Sequence, residues 1–264
     1  MRNLTSIAIT LLSLWLWPAA GAAQEIHAPY QAVDGAFFSR PDPNAAVWQS
    51  IPETTVNLLP QNITQPSLFQ TSVAQLKVKT LHNKKWLAVR LEWQDKTKDQ
   101  AVSLDHASDA CAIQFPVKEA EKTSPFMGNK GFPVAILHWK AIWQKDIEDH
   151  YQQVKDLYPN TYNETYRFGI QAAIDAKNPL SQPKRQTPVE RLMAEGFGTL
   201  TTQAEQNASG WGIHTDGKWQ VVLARPLQDK GKTSIAFALW EGGDKNAGAK
   251  KNYAPWVSLI LEEK

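Results

Sequence analysis

The sequence predicts a mainly β fold: an antiparallel β-sandwich with a few short helices in an insert. Three observations carry that prediction. Several segments alternate apolar and polar residues at period two, polar turns separate them, and no helical segments are interleaved as in a parallel α/β sheet.

The elements follow in chain order. Residues 1–23 read as a signal peptide: Arg2 supplies the positive start, 7–17 is apolar, and small residues at 18–23 allow cleavage after Ala22 or Ala23. The apolar run is too short for a membrane span. Residues 24–264 are then expected as a single exported domain. Residues 76–79 and 86–93 alternate, with Leu87, Val89, Leu91 and Trp93 on one face and a hairpin turn at 82–85. Residues 110–115 alternate around Cys111. As the only cysteine it can form no internal disulfide, and it is expected as a buried core thiol. Residues 126–133 form a Gly- and Pro-flanked loop, and 134–139 are the next strand. An excursion over about 144–210 is expected to carry two helices. One is marked by Ile147, Tyr151, Val154 and Tyr158 at helical spacing. The other starts at Thr187-Pro188-Val189-Glu190 and runs through Met193. Residues 178–183 between them read as an irregular loop. Strands at 219–224, 234–240 and 256–261 close the chain.

Composition narrows function. The net charge is +2 with no run of one sign, so neither a nucleic-acid footprint nor an acidic tail is present. Eleven tryptophans call for a ring-rich core or a flat ligand. No nucleophile–base motif, phosphate loop or dinucleotide fingerprint occurs, and no metal-ligand spacing relates the histidines to one another or to Cys111. His138 sits in a strand pattern and reads as structural. Met193 fits a core position, whereas Met127, in Ser124-Pro125-Phe126-Met127-Gly128-Asn129, has no core periodicity to explain it. Residues 240–251 taken alone read as a solvated, Lys-rich loop.

The order of several weak motifs changes that weighting. Asp34-Gly35, Leu91-Glu92-Trp93-Gln94-Asp95, Ser108-Asp109-Ala110-Cys111, Phe126-Met127-Gly128, His138-Trp139-Lys140-Ala141, Ala194-Glu195-Gly196-Phe197-Gly198 and Ala224-Arg225-Pro226-Leu227 succeed one another. In this order the chain resembles the haem-binding gamma subunits found with ethylbenzene dehydrogenase, dimethylsulfide dehydrogenase, selenate reductase and chlorate reductase. The resemblance implies one haem b held by an axial Met and an axial Lys. The Met of the Met-Gly loop carries over to Met127. The Lys of a Gly-x-basic-Lys stretch before a Trp carries over to Lys251 in Gly248-Ala249-Lys250-Lys251, ahead of Trp256. The basic position is often Arg in that family and is Lys250 here, which places two amines side by side.

The resemblance further implies a periplasmic, non-catalytic electron-transfer subunit. Its partners would be a molybdopterin catalytic subunit, an iron–sulfur subunit and a soluble periplasmic cytochrome or similar carrier. The competing expectation is an exported carbohydrate-binding β-sandwich, in which exposed indoles stack on sugar rings. The Met127–Lys251 pair discriminates, because a sugar binder needs neither.

Overall fold

The computed structural model describes residues 24–161, 167–176, 178, 181 and 184–263. The signal peptide expected at 1–23, and most of the loop expected at 178–183, lie outside the described residues.

Strands dominate. The first sheet holds β1 (Glu25–Ala28), β3 (Leu59–Pro60), β6 (Ala110–Pro116), β7 (Val134–Lys140), β8 (Val189–Ala194), β9 (Thr201–Thr202), β12 (Lys232–Trp240) and β13 (Asn252–Leu261). Its order is β1-β13-β12-β6-β7-β8-β9, with β3 also on β13. The second sheet runs β10-β11-β5-β4-β2, from β2 (Thr54–Asn57), β4 (Gln75–His82), β5 (Trp86–Gln94), β10 (Ser209–Thr215) and β11 (Lys218–Pro226). Between these strands, among the described residues, the pairings are antiparallel except β1 with β13, which is parallel because β1 joins the sheet edge from a distant part of the chain rather than through a hairpin.

The expected strands are present, generally a residue or more longer. The hairpin between β4 and β5 turns at Asn83, whose Oδ1 accepts from Trp86 N at 2.8 Å, and at Lys84, which has φ 70°. The inner faces of both sheets pack Leu76, Val89, Leu91, Ile113, Leu137 and Leu223 into one core, with Cys111 buried among them. At its centre Trp93, Trp139 and Trp219 meet at centroid distances of 4.9–6.5 Å. Part of the tryptophan content is therefore core. Buried indole N–H groups need acceptors; Trp139 donates to Gln144 Oε1 at 3.0 Å and Trp219 to Asp109 Oδ2 at 2.9 Å. The outer face of the second sheet is covered by α1 (Gly35–Ser39) and the short turn Ala46–Gln49, which bury Phe38 and Trp48.

Two helical expectations are corrected. Residues 189–194 are not a helix but strand β8, paired with β7 from Val134↔Ala194 to Trp139↔Val189. The Thr-Pro start signal is local. The strand instead gains a full ladder with β7 and buries Val189, Leu192 and Ala194, and tertiary pairing overrides the weak local signal. Met193 is accordingly a strand residue. The helix expected from Ile147 to Tyr158 is two pieces, α2 (Ala141–Glu148) and α3 (Val154–Leu157), and Tyr151, Val154 and Tyr158 are exposed. A further helix, α4 (Arg167–Asp175), follows. The excursion expected at 144–210 is shorter than its sequence suggests, since β8, β9 and the start of β10 belong to the two sheets.

Candidate functional site

The outer face of the first sheet carries the site. Because side chains alternate along a strand, β6 sends Cys111, Ile113 and Phe115 into the core and Ala110, Ala112 and Gln114 outward. Register aligns these with the outward residues of neighbouring strands. Trp240, Ala110 and Lys140 form one row; Ala238, Ala112, His138 and Glu190 the next; Ala236, Gln114, Ile136 and Leu192 the third. Small side chains thus occupy the middle of a face whose flanks are large. Above them lies a cavity of about 670 Å³, within the range of small-molecule and cofactor pockets. Ala110, Ala112, Ala236 and Ala238 form its floor, and Phe126, Ile63, Val102, Phe197 and Leu200 line its walls.

Two loops cover this floor, and each carries one residue singled out from the sequence. The β6–β7 loop is tied down along its middle. Gln114 Nε2 donates to Pro125 O at 2.7 Å, Trp256 Nε1 to Thr123 O at 2.8 Å, and Gly196 N to Met127 O at 2.7 Å. Met127 has φ 64° and Gly128 φ 76°. A left-handed backbone at Met is costly for an L-residue. At Gly128 a Cβ would lie 2.8 Å from Phe132 O and 2.9 Å from Ala194 O, so only glycine fits. The β12–β13 loop is held by Trp240 Nε1 donating to Gly248 O at 2.9 Å and by Gln61 Nε2 donating to Ala249 O at 2.8 Å.

Lys251 immediately precedes β13 and shares the parity of Tyr253, which is paired with floor residue Ala238. Its Nζ reaches over Trp240, 5.2 Å from the ring centroid, and lies 4.0 Å from Met127 Sδ. Lys250 has the other parity, and its Nζ donates to Asp244 O at 3.0 Å. The structure therefore brings Met127 and Lys251 together at the cavity and turns Lys250 elsewhere. Burial lowers the Lys251 pKa and so favours its neutral amine. A thioether and an amine bonded to one metal ion at about 2.0–2.3 Å each stand at most roughly 4.3 Å apart, and the 4.0 Å separation here lies within that limit, so the donor pair fits a shared metal. Met193, of opposite parity to Leu192 and Ala194, does not line the cavity.

Sequence reasoning missed two features. His138 lines the cavity rather than serving only the core. Its ring stacks on Trp240 at 4.7 Å and 29°, and its Nε2 is buried without a hydrogen-bond partner among the described residues. Burial, then Lys140 and Lys251, hold the imidazole well below its usual pKa. The second feature is a carboxylate cluster, Asp95, Asp99, Asp109 and Glu241, with oxygens within 4.8 Å of one another. Asp109 accepts from Gly242 N, Trp219 Nε1 and Asp99 N, and burial followed by the neighbouring Asp95 pushes it up to about 8. No motif spacing reveals this cluster, because its members come from three separate segments.

Comparison with known proteins places the chain. The model of the ethylbenzene dehydrogenase family matches residues 45–252. The chain is 26% identical over 254 residues to the chlorate reductase subunit gamma of Ideonella dechloratans, covering 91% of this chain and 88% of that protein. It is 25% identical over 226 residues to a candidate heme subunit of respiratory nitrate reductase in Haloferax mediterranei, covering 81% and 66%. Among solved structures, a carbohydrate binding module family 9 from Caldicellulosiruptor kristjanssonii in complex with cellotriose superposes with TM-score 0.45 at 11% identity, covering 91% of this chain and 95% of that one. The family match spans 208 of 264 residues and includes both Met127 and Lys251. The chain belongs to the ethylbenzene dehydrogenase family.

Proposed function

We propose that the chain is a non-catalytic, electron-transferring b-type cytochrome subunit of a periplasmic molybdenum oxidoreductase complex. The observation that carries this reading is the 4.0 Å approach of Met127 Sδ and Lys251 Nζ over a floor of alanines. A haem held there would supply a one-electron couple.

The protein's own residues would do the rest. Met127 would offer a soft thioether, which favours the reduced metal. Lys251 would offer an amine that burial already disposes to lose its proton, as metal binding requires. Trp240 would pack beside the amine and His138 beside Trp240. The alanines would admit a flat group that larger side chains would exclude. With Met127 and Lys251 both engaged in holding the group, neither would be left to act on a substrate, so substrate chemistry would belong to a separate molybdopterin subunit. An iron–sulfur subunit and a soluble periplasmic carrier would stand on either side of the electron path. The relatives' names as a reductase gamma subunit and a heme subunit support this assignment.

Pyridine haemochrome analysis of the exported, purified protein tests the cofactor. Haem b that leaves the polypeptide in acid acetone supports the reading, since no Cys-x-x-Cys-His attachment motif exists in the sequence. Haem retained by the polypeptide, or a colourless protein that takes up no haem, contradicts it.

A further inference from the structure

The cavity is chemically lopsided. Along the outward face of β7 the lining changes from Ile136, beside Leu192, to His138 and then Lys140. The wall also includes Ser103 and His106, on the segment that leads into Ala110, the partner of Lys140 in register. Ser103 Oγ accepts from the backbone N–H groups of Asp105 and His106, each at 3.2 Å, which leaves its own proton to donate. The Lys140 ammonium gives one donor to Glu190 at 2.5 Å, and Glu190 is also satisfied by Thr202 Oγ1 at 2.6 Å. An ammonium has three donors, so Lys140 retains capacity. Among the described residues His138 Nε2 is buried with no partner, a costly condition for a polar nitrogen. Opposite these two residues stand Ala112 and Ala110, which leave room beside them.

A haem has the same polarity: a hydrocarbon edge and an edge bearing two propionate carboxylates. We propose that the His138–Lys140 end of the cavity is a carboxylate subsite that takes the propionates, while Ile136 and Leu192 pack the hydrocarbon edge. This inference rests on the haem reading above and adds to it a direction for the group. It gives the orphaned His138 nitrogen an anionic acceptor, and charge-assisted bonds of that kind are roughly twice as strong as neutral ones.

The test compares two probes, haem b and protohaem dimethyl ester, titrated into cofactor-free wild type, His138→Phe and Lys140→Met and followed by the Soret band. Phenylalanine keeps a ring to stack on Trp240 and removes the nitrogens, and the diester probe reports what its larger ring does to packing. Each variant is expected to bind haem b about tenfold more weakly, and the diester with wild-type affinity within about twofold. Equal losses for both probes would assign the two residues to packing and overturn the subsite. Unchanged affinity for haem b in both variants would place the propionates elsewhere and also overturn it. Far-ultraviolet circular dichroism identifies a variant that has failed to fold, and the other variant then decides. If wild type binds neither probe, the haem reading itself falls, an outcome distinct from loss of the probe difference.

Discussion

Replacing Ala112 by Leu fills the floor of the cavity and should move stability and cofactor binding in opposite directions. Ala112 projects outward from the middle of β6, flanked in register by Ala238 and His138. Leucine adds three carbons into a cavity of about 670 Å³. At about 0.8 kcal/mol per buried CH₂, full burial would contribute about 2.4 kcal/mol; the partly open site leaves about 1–2 kcal/mol. For a domain of this size that corresponds to a Tm increase of about 3–6 °C in the cofactor-free protein. The same carbons occupy space a planar group needs. Forcing both into one place costs about 1–3 kcal/mol, or about 5- to 150-fold in affinity. Differential scanning calorimetry of the cofactor-free protein and Soret titration with haem read the two effects separately. A stabilised variant that binds haem as wild type does would remove the alanine floor from the site. A destabilised variant would mean that Ala112 does not face open space, and the geometric argument would fail.

Other perturbations follow from the same structure. Gly128→Ala sets a Cβ against two carbonyl oxygens at a left-handed backbone, and should cost about 1–3 kcal/mol in urea unfolding; an unchanged midpoint would contradict the tight packing of the Met127 loop. Met193→Leu, a near-isosteric change away from the cavity, should leave haem affinity unchanged and cost under about 1.5 kcal/mol; weakened haem binding would argue against the β8 register. Asp109, pushed up to about 8, holds in the folded state a proton that the unfolded chain releases near 3.8. Its contribution is therefore fully present below about pH 4, is lost as pH rises, and is gone above about pH 8, with a slope of at most about 1.4 kcal/mol per pH unit. The stability advantage of wild type over Asp109→Asn should accordingly shrink between pH 5 and pH 8, and parallel pH profiles would contradict this.

Where one face of a strand is buried and the other polar, the sequence is readable. The alternation from Trp86 to Trp93 predicts β5, and β4, β7, β11, β12 and β13 follow by the same logic. β8 is not legible because Thr187-Pro188 mimics a helix start while the deciding ladder, with β7, is distant in sequence. α4 carried no recognised signal. The candidate ligands were legible only through the order of short motifs, since Met127 and Lys251 are separated by 124 residues and meet through two loops. The alanine floor was hidden for a physical reason. β6 is buried on both faces, so its outward alanines look like core, and only the register of β12 and β7 turns them into a surface. His138 reads as structural because a strand pattern does not reveal which face opens onto a cavity.

The central claim is that one buried amine and one thioether ligate the same iron, and electron paramagnetic resonance of the haem-loaded protein beside Lys251→Ala and Lys250→Ala tests it most directly. The structure seats the Lys251 amine 4.0 Å from Met127 Sδ and engages Lys250 with Asp244 O. Wild type and Lys250→Ala should therefore give one and the same six-coordinate low-spin ferric signal, and Lys251→Ala should convert it to high spin or to a different ligand set. A low-spin signal unchanged by Lys251→Ala would refute amine ligation by Lys251, and conversion by Lys250→Ala alone would shift the ligand by one residue against the register seen here.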